Sequence, residues 1–295
     1  MSTTRMDRRT FAKMVGLGAF VGLEAIVGGV LASFADGGAA RAEDASTLDE
    51  VKGRGILRAG VRQDVPGFGS VDEKGRIVGF DVDIAAELAK RFGVKIELVP
   101  VTAATRIPLL AQRRIDLIAA TLTHYRERDK VIDFSIGYFW TGQKLMVKKG
   151  SNIKSLADMA GKRAGTTAGA LALQNLLKAQ PGAIGQTFEG YPEAFLAMQR
   201  GLVDAVVADV IILAGLRANA PNPGDYVIIG DSLGGGDYAI GVRENDSKWR
   251  DAINFALQDL WRDGTWDKIF ERWIGPNSAL KLTQDEIGFK MELWD

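Results

Sequence analysis

From Gly55 onward the chain alternates short apolar runs with longer amphipathic ones. Residues 55–61, "GILRAGV", predict a strand that ends in a loop. In residues 83–92, Ile84, Leu88 and Phe92 recur at helical spacing and Gly93 follows as a stop signal, which predicts a helix. Residues 95–101 predict a second strand, 104–112 a second helix, and 115–119 a third strand leading into "ATLTHYRERDKVIDFS". A second series predicts strands at 163–166, 205–208 and 226–229, with helices at 170–178, 191–200 and 210–216. Strands that alternate with helices in this way form parallel sheets joined by crossover helices, so two α/β lobes are expected. The long strand-like stretches 138–149 and 238–243 stand between and after the two series as paired crossings from lobe to lobe. The C-terminal helices, 252–261 and 266–273, are expected to return to the first lobe.

The first 42 residues have the form of an export signal. "DRRTFAK" resembles a twin-arginine motif, a Gly- and Ala-rich apolar run follows, and "ARA" ending at Ala42 is a small-x-small cleavage pattern. A permanent membrane anchor is the competing reading. Glu24 within the run, together with its many Gly and Ala residues, makes the run too weakly apolar for that. The expected mature protein, starting after Ala42, is slightly acidic.

Composition removes several classes of chemistry. The 295 residues carry 37 Lys+Arg and 37 Asp+Glu, which gives no basic footprint for nucleic acid. There is no cysteine, so disulfides and thiolate nucleophiles lack their parts, and with a single histidine, His124, a Ser-His-Asp triad has little support. No catalytic residue, metal ligand or cofactor is assigned. The notable polar residues instead fall where the predicted strands end, the usual ligand-binding edge of an α/β sheet. Arg62 follows the first strand, Thr121 and Thr123 the third, and Asp209 the strand 205–208. Taken singly these are ordinary: a threonine or aspartate there is usually a cap and an arginine is usually solvated.

Together they carry a resemblance. The stretches "GILRAGVRQDVPGFG", "GFDVDIAAELAKRFG", "VTAATRIPLLAQRRIDLIAATLT", "RERDKVIDFSIGYF", "KSLADMAGKRAG", "GLVDAVVAD" and "DGTWDKIFERW" are similar, in this order, to the periplasmic polar amino-acid binding proteins of ABC importers, the family 3 solute-binding proteins. The similarity runs from about Leu48 to the end of the second C-terminal helix. It implies a type II periplasmic binding protein: two lobes, each a mixed sheet flanked by helices, connected by two hinge strands. The expected boundaries are 1–42 for the signal, 43–142 plus 237–295 for lobe 1, and 143–236 for lobe 2.

The resemblance also implies roles. Counted back from "DFS", Arg128 rather than Arg126 matches the arginine that clamps the ligand α-carboxylate, a task suited to the two parallel donors of a guanidinium. Thr121 and Thr123 match contacts to the amino acid's backbone groups, Asp209 the acceptor of its ammonium, and Phe68 an aromatic wall. Arg62 and Arg106 resemble the arginines of the glutamate/aspartate-binding members, and the three arginines against Asp209 favour an acidic ligand. Two departures are visible: Tyr125 stands where a hydroxyl of the pattern is expected, and Gly169, Ala170 and Leu171 replace a hydroxyl-rich turn, for which Tyr191 is the candidate substitute. The implied function is the periplasmic glutamate/aspartate-binding component of an ABC importer, a monomer that closes on its ligand and meets a membrane permease. The alternatives are a glutamine/asparagine-binding protein and, on the same fold, a prephenate/arogenate dehydratase.

Overall fold

The computed structural model describes residues 45–294, and the expected signal at 1–42 lies outside the described residues. Ser46 accepts from the Leu48 N–H and starts α1 (Thr47–Arg54), which ends at Gly55 with φ 71°. β1 (Ile56–Val61) follows, and then a separate antiparallel sheet of very short strands, β2 (Asp64–Val65), β3 (Gly69–Val71) and β4 (Ile77–Val78). α2 (Phe80–Arg91) begins earlier than its spacing predicts because Phe80, Asp81 and Val82 are buried as its first turn. β5 (Lys95–Pro100), α3 (Arg106–Ala111) and β6 (Leu117–Ala119) complete the first series.

β7 (Asp133–Lys148) is a single 16-residue strand, longer at its start than expected. The second series is β8 (Arg163–Thr167), α4 (Ala172–Ala179), β9 (Ile184–Phe188), α5 (Tyr191–Gln199), β10 (Ala205–Asp209), α6 (Val210–Ala218) and β11 (Tyr226–Ile229). The chain then returns through β12 (Gly235–Val242) to α7 (Ser247–Arg262), α8 (Thr265–Trp273) and the single turn α9 (Gln284–Ile287).

β7 belongs to both sheets. Its first part pairs antiparallel with β12, down to Gly142↔Gly235, in a sheet ordered β5-β1-β6-β12-β7. From Gln143↔Asp209 onward it pairs with β10, and β11 lines its other side, so the second sheet runs β11-β7-β10-β8-β9. The strand thus changes partner between Gly142 and Gln143. Within each sheet the crossover pairs β1/β5, β1/β6, β8/β9 and β8/β10 are parallel, as alternating strands and helices require.

The largest core joins the lobes: Phe80, Tyr138, Phe139 and Trp266 from the first belong to the same apolar cluster as Ala194, Phe195 and Ile211 from the second. α7 and α8 pack on β7 and α2, so the C-terminal helices return to the first lobe. Lobe contact is close at two glycines. A Cβ on Gly215 in α6 would lie 2.6 Å from the Pro66 carbonyl oxygen, and one on Gly169, which also has φ +82°, would lie 2.7 Å from the Ala104 nitrogen. The lobes are thus shut on each other.

Candidate functional site

A cavity with about 280 Å³ of empty space lies where the strand ends of both sheets converge. It is walled by Arg62 just past β1, Arg106 at the start of α3, and Thr121, Thr123, Tyr125 and Arg128 in the loop after β6. From the other side come Gln143 of β7, Ala170 and Leu171 before α4, Tyr191 at the start of α5, and Asp209 at the end of β10. Arg62, Arg106, Thr121, Thr123, Arg128, Tyr191 and Asp209 are all buried. Every expected ligand residue except Phe68 is brought together here.

Phe68 lies in the core instead. It is fully buried and its ring contacts Phe80, Phe139 and Tyr238 at centroid distances of 5.3, 5.1 and 5.7 Å. Its part is indirect, since it packs edge-on against Tyr238, whose hydroxyl donates to Asp209 Oδ2 at 2.6 Å. Asp209 occupies the N-cap position of α6 but makes no side-chain capping bond. Its carboxylate is therefore available to the cavity. Burial pushes its pKa up, while Tyr238 and Gln143 hydrogen bonds oppose that shift.

The three arginines differ in how they are held. Arg62 is neutralised within the protein: Nε and Nη2 donate to Asp64 Oδ1 and Oδ2 at 2.7 and 2.6 Å, and the guanidinium lies 5.4 Å from the centre of the Tyr191 ring. Burial lowers its pKa, but the bond to Asp64 more than offsets this. The expected surplus of positive charge is therefore smaller than the arginines suggest, because Asp64 was left out of the count.

Arg106 and Arg128 make no ion pair to a carboxylate among the described residues. Arg106 Nη1 donates to the Ala120 carbonyl and, at 3.1 Å, to that of Thr121, while its buried Nε has no hydrogen-bond partner. Burial, followed by the Arg128 and Arg62 charges, pushes its pKa down to about 9. Arg128 Nη1 donates to the Thr123 carbonyl at 2.6 Å, its guanidinium stands 5.3 Å from the Tyr125 ring centre, and burial lowers its pKa too.

Behind this wall Asp81 holds the backbone. Its Oδ2 accepts from the Thr121 N–H at 2.7 Å and its Oδ1 from the Tyr138 hydroxyl at 2.7 Å. Thr121 has φ 47°, a left-handed conformation that a β-branched residue adopts only under constraint. Burial raises the Asp81 pKa to about 7 against those two hydrogen bonds.

The neutral part of the wall comes from residues the sequence singled out weakly or not at all. Gln143 Nε2 donates to the Tyr125 hydroxyl at 3.1 Å, and Asn175 Nδ2 donates to Gln143 Oε1 at 2.8 Å. Burial, then the Asp209 charge, raises the Tyr125 pKa to about 12. Gln143 sits in an ordinary strand pattern and gives no signal by itself. Asp81 precedes the helix predicted at 83–92 and gives no signal by itself, although it is buried in the first turn of α2.

His124 does not line the cavity. Its Nε2 hydrogen-bonds Asp129 Oδ1 at 2.7 Å and its ring stacks on Phe134. Among the described residues no group of His, Asp or Glu is arranged to hold a metal ion, and no helix is long and apolar enough to cross a membrane.

The bacterial extracellular solute-binding proteins, family 3, match the chain over residues 57–276. The chain is 36% identical to the ABC transporter glutamine-binding protein GlnH of Bacillus subtilis (strain 168), over 83% of this chain and 90% of that one. It is 30% identical to the L-glutamate/L-aspartate-binding protein of Pseudomonas aeruginosa, over 77% and 80%. Among solved structures, an ancestral arginine-binding protein bound to glutamine superposes with a TM-score of 0.71 at 42% identity, covering 75% of this chain and 99% of that one.

Proposed function

The chain belongs to the bacterial extracellular solute-binding proteins of family 3, and from that premise we propose that it is the exported binding component of an ABC importer for amino acids. Its ligand is a neutral polar amino acid, glutamine foremost, held between lobe 1 (43–142 and 237–295) and lobe 2 (143–236). The observation that carries this reading is the opposition of Arg128 and Asp209 across one buried cavity. A guanidinium with unused donors receives an α-carboxylate, and a carboxylate freed from capping receives an α-ammonium. The two come from different lobes, so a zwitterion makes all its contacts only when the lobes are shut.

The pairing of Arg62 weighs against the acidic ligand. Arg62 is paired with Asp64, so it offers no free cation to a ligand side chain. A cationic side chain fares worse, because Asp209 is the only carboxylate among the residues that line the cavity. The chain Tyr125, Gln143, Asn175 supplies neutral donors and acceptors that suit a carboxamide. The similarity to glutamine-binding relatives points the same way.

The test is calorimetric titration of protein unfolded and refolded to strip carried-over ligand. Glutamine is expected to bind more tightly than glutamate, aspartate or arginine. A preference for any of those three would defeat the neutral-ligand reading, and no binding of any amino acid would defeat the transport reading. Prephenate is expected to remain unconverted in the same preparation, and formation of phenylpyruvate would restore the enzyme alternative.

A further inference from the structure

We propose that Asp81, which lines no part of the cavity, determines the side-chain charge the site accepts, because its buried carboxylate is the internal counter-charge to Arg106. This rests on the reading above and deepens it. The two residues meet through one peptide unit: Thr121 gives its N–H to Asp81 Oδ2 at 2.7 Å and receives Arg106 Nη1 on its carbonyl at 3.1 Å. Asp81 is 0% exposed and Arg106 3%, so water screens their interaction little. The Arg106 charge is the first of the charge influences that favour the ionised form of Asp81.

The site then balances pair by pair. Arg62 is matched by Asp64. Arg128 and Asp209 are left for the two charges of an amino-acid backbone, and Arg106 is matched by Asp81. A neutral side chain leaves nothing over. A carboxylate side chain brought to Arg106 would have to compete with Asp81, and its negative charge would be in excess in a medium that tolerates none. Without the Asp81 charge, Arg106 becomes a buried cation that a ligand carboxylate relieves.

The experiment is titration of wild type and Asp81→Asn with glutamine and with glutamate at a pH of about 8.5, above the Asp81 pKa of about 7, where its carboxylate is ionised. Asparagine keeps the geometry: Oδ1 accepts from the Thr121 N–H and Nδ2 donates to the Tyr138 oxygen. The ratio of glutamate to glutamine affinity is expected to rise about tenfold or more, as removal of one weakly screened charge near the ligand implies. A purely structural role would lower both affinities together and leave their ratio unchanged. Arg106→Met is the second arm, in which Asp81 is left without its cation and the ratio is expected to fall. If Asp81→Asn does not fold, the wild-type ratio followed with pH decides: it is expected to fall as pH rises through about 7 and Asp81 ionises, and a flat ratio overturns the inference. An unchanged ratio in whichever variants fold, or a shift of either in the opposite direction, overturns this inference and leaves the transport function standing. A wild-type protein that prefers glutamate, or binds neither, overturns the neutral-ligand reading and this inference with it.

Discussion

The Arg128 guanidinium makes one hydrogen bond among the described residues, to the Thr123 carbonyl, and keeps its other donors for the cavity. Arg128→Ala is therefore expected to weaken binding of every amino acid by at least about a hundredfold, roughly 3 kcal/mol, since the α-carboxylate is common to all and would be left buried and unpaired. Calorimetry showing a loss under tenfold would remove Arg128 from the clamp. Asp209→Asn is expected to weaken glutamine strongly and the corresponding deaminated acid little, because only the first carries an ammonium. Equal losses would return Asp209 to a structural role. Asp81 gives a pH dependence of defined sign. Its folded pKa of about 7 lies above the ordinary 3.8, so between those values the folded chain holds a proton that the unfolded chain has released. This contribution favours folding as pH falls from about 7 toward 4 and is lost as pH rises through 7. Burial sets this shift, and the Tyr138 hydroxyl, the Thr121 N–H, Arg106 and Arg62 oppose it. Melting temperatures of Asp81→Asn and wild type, followed across this range, should diverge in slope, and parallel curves would refute the assignment. Arg62, the threonines and Asp209 were legible in the sequence because strand ends mark the binding edge, and Arg106 and Arg128 only through the family resemblance. Their pairing was not: Asp64 stands two residues from Arg62 in a stretch too short for any periodicity, and only the fold turns its carboxylate onto the guanidinium.

At the scale of elements, α6 bears directly on lobe contact. Gly215 lies within this helix, where alanine is ordinarily better by about 0.5–1 kcal/mol. A methyl there would lie 2.6 Å from the Pro66 carbonyl of the other lobe. Gly215→Ala is thus expected to leave the ligand-free protein as stable as wild type or slightly more so, and to weaken ligand binding about tenfold or more. Small-angle scattering with saturating ligand should show the variant more extended than wild type. Wild-type affinity in the variant would show that the contact yields without cost. Most helices and strands were predictable because each pairs an apolar face with a defined stop. The exceptions have physical causes. β9 is solvent-exposed along almost its whole length and shows no apolar alternation, β2 to β4 are two or three residues long, and α1 has only Leu48 and Val51 to mark its apolar face. The early start of α2 was hidden because its first turn buries Asp81, a residue type that sequence patterns place in water.

For the whole molecule, the decisive element is β7, which runs through both sheets without a break. A strand of 16 residues spans on the order of 50 Å. With β12 beside it, lobe movement is expected to take the form of a twist in a hydrogen-bonded ribbon, concentrated where the partner changes at Gly142 and Gln143. Amide hydrogen exchange without ligand is expected to be faster at residues 141–143 than in the flanking parts of β7, and to slow there on ligand addition. Uniform protection along the strand would place the hinge elsewhere. The walls of the cavity, drawn from both halves and mostly buried, have a kinetic meaning as well. A solute gripped by residues of both halves is expected to be released chiefly by their separation. Its departure rate is the rate at which the halves part, so whatever receives the cargo need not outbid the protein for it: it has only to hold the two halves apart.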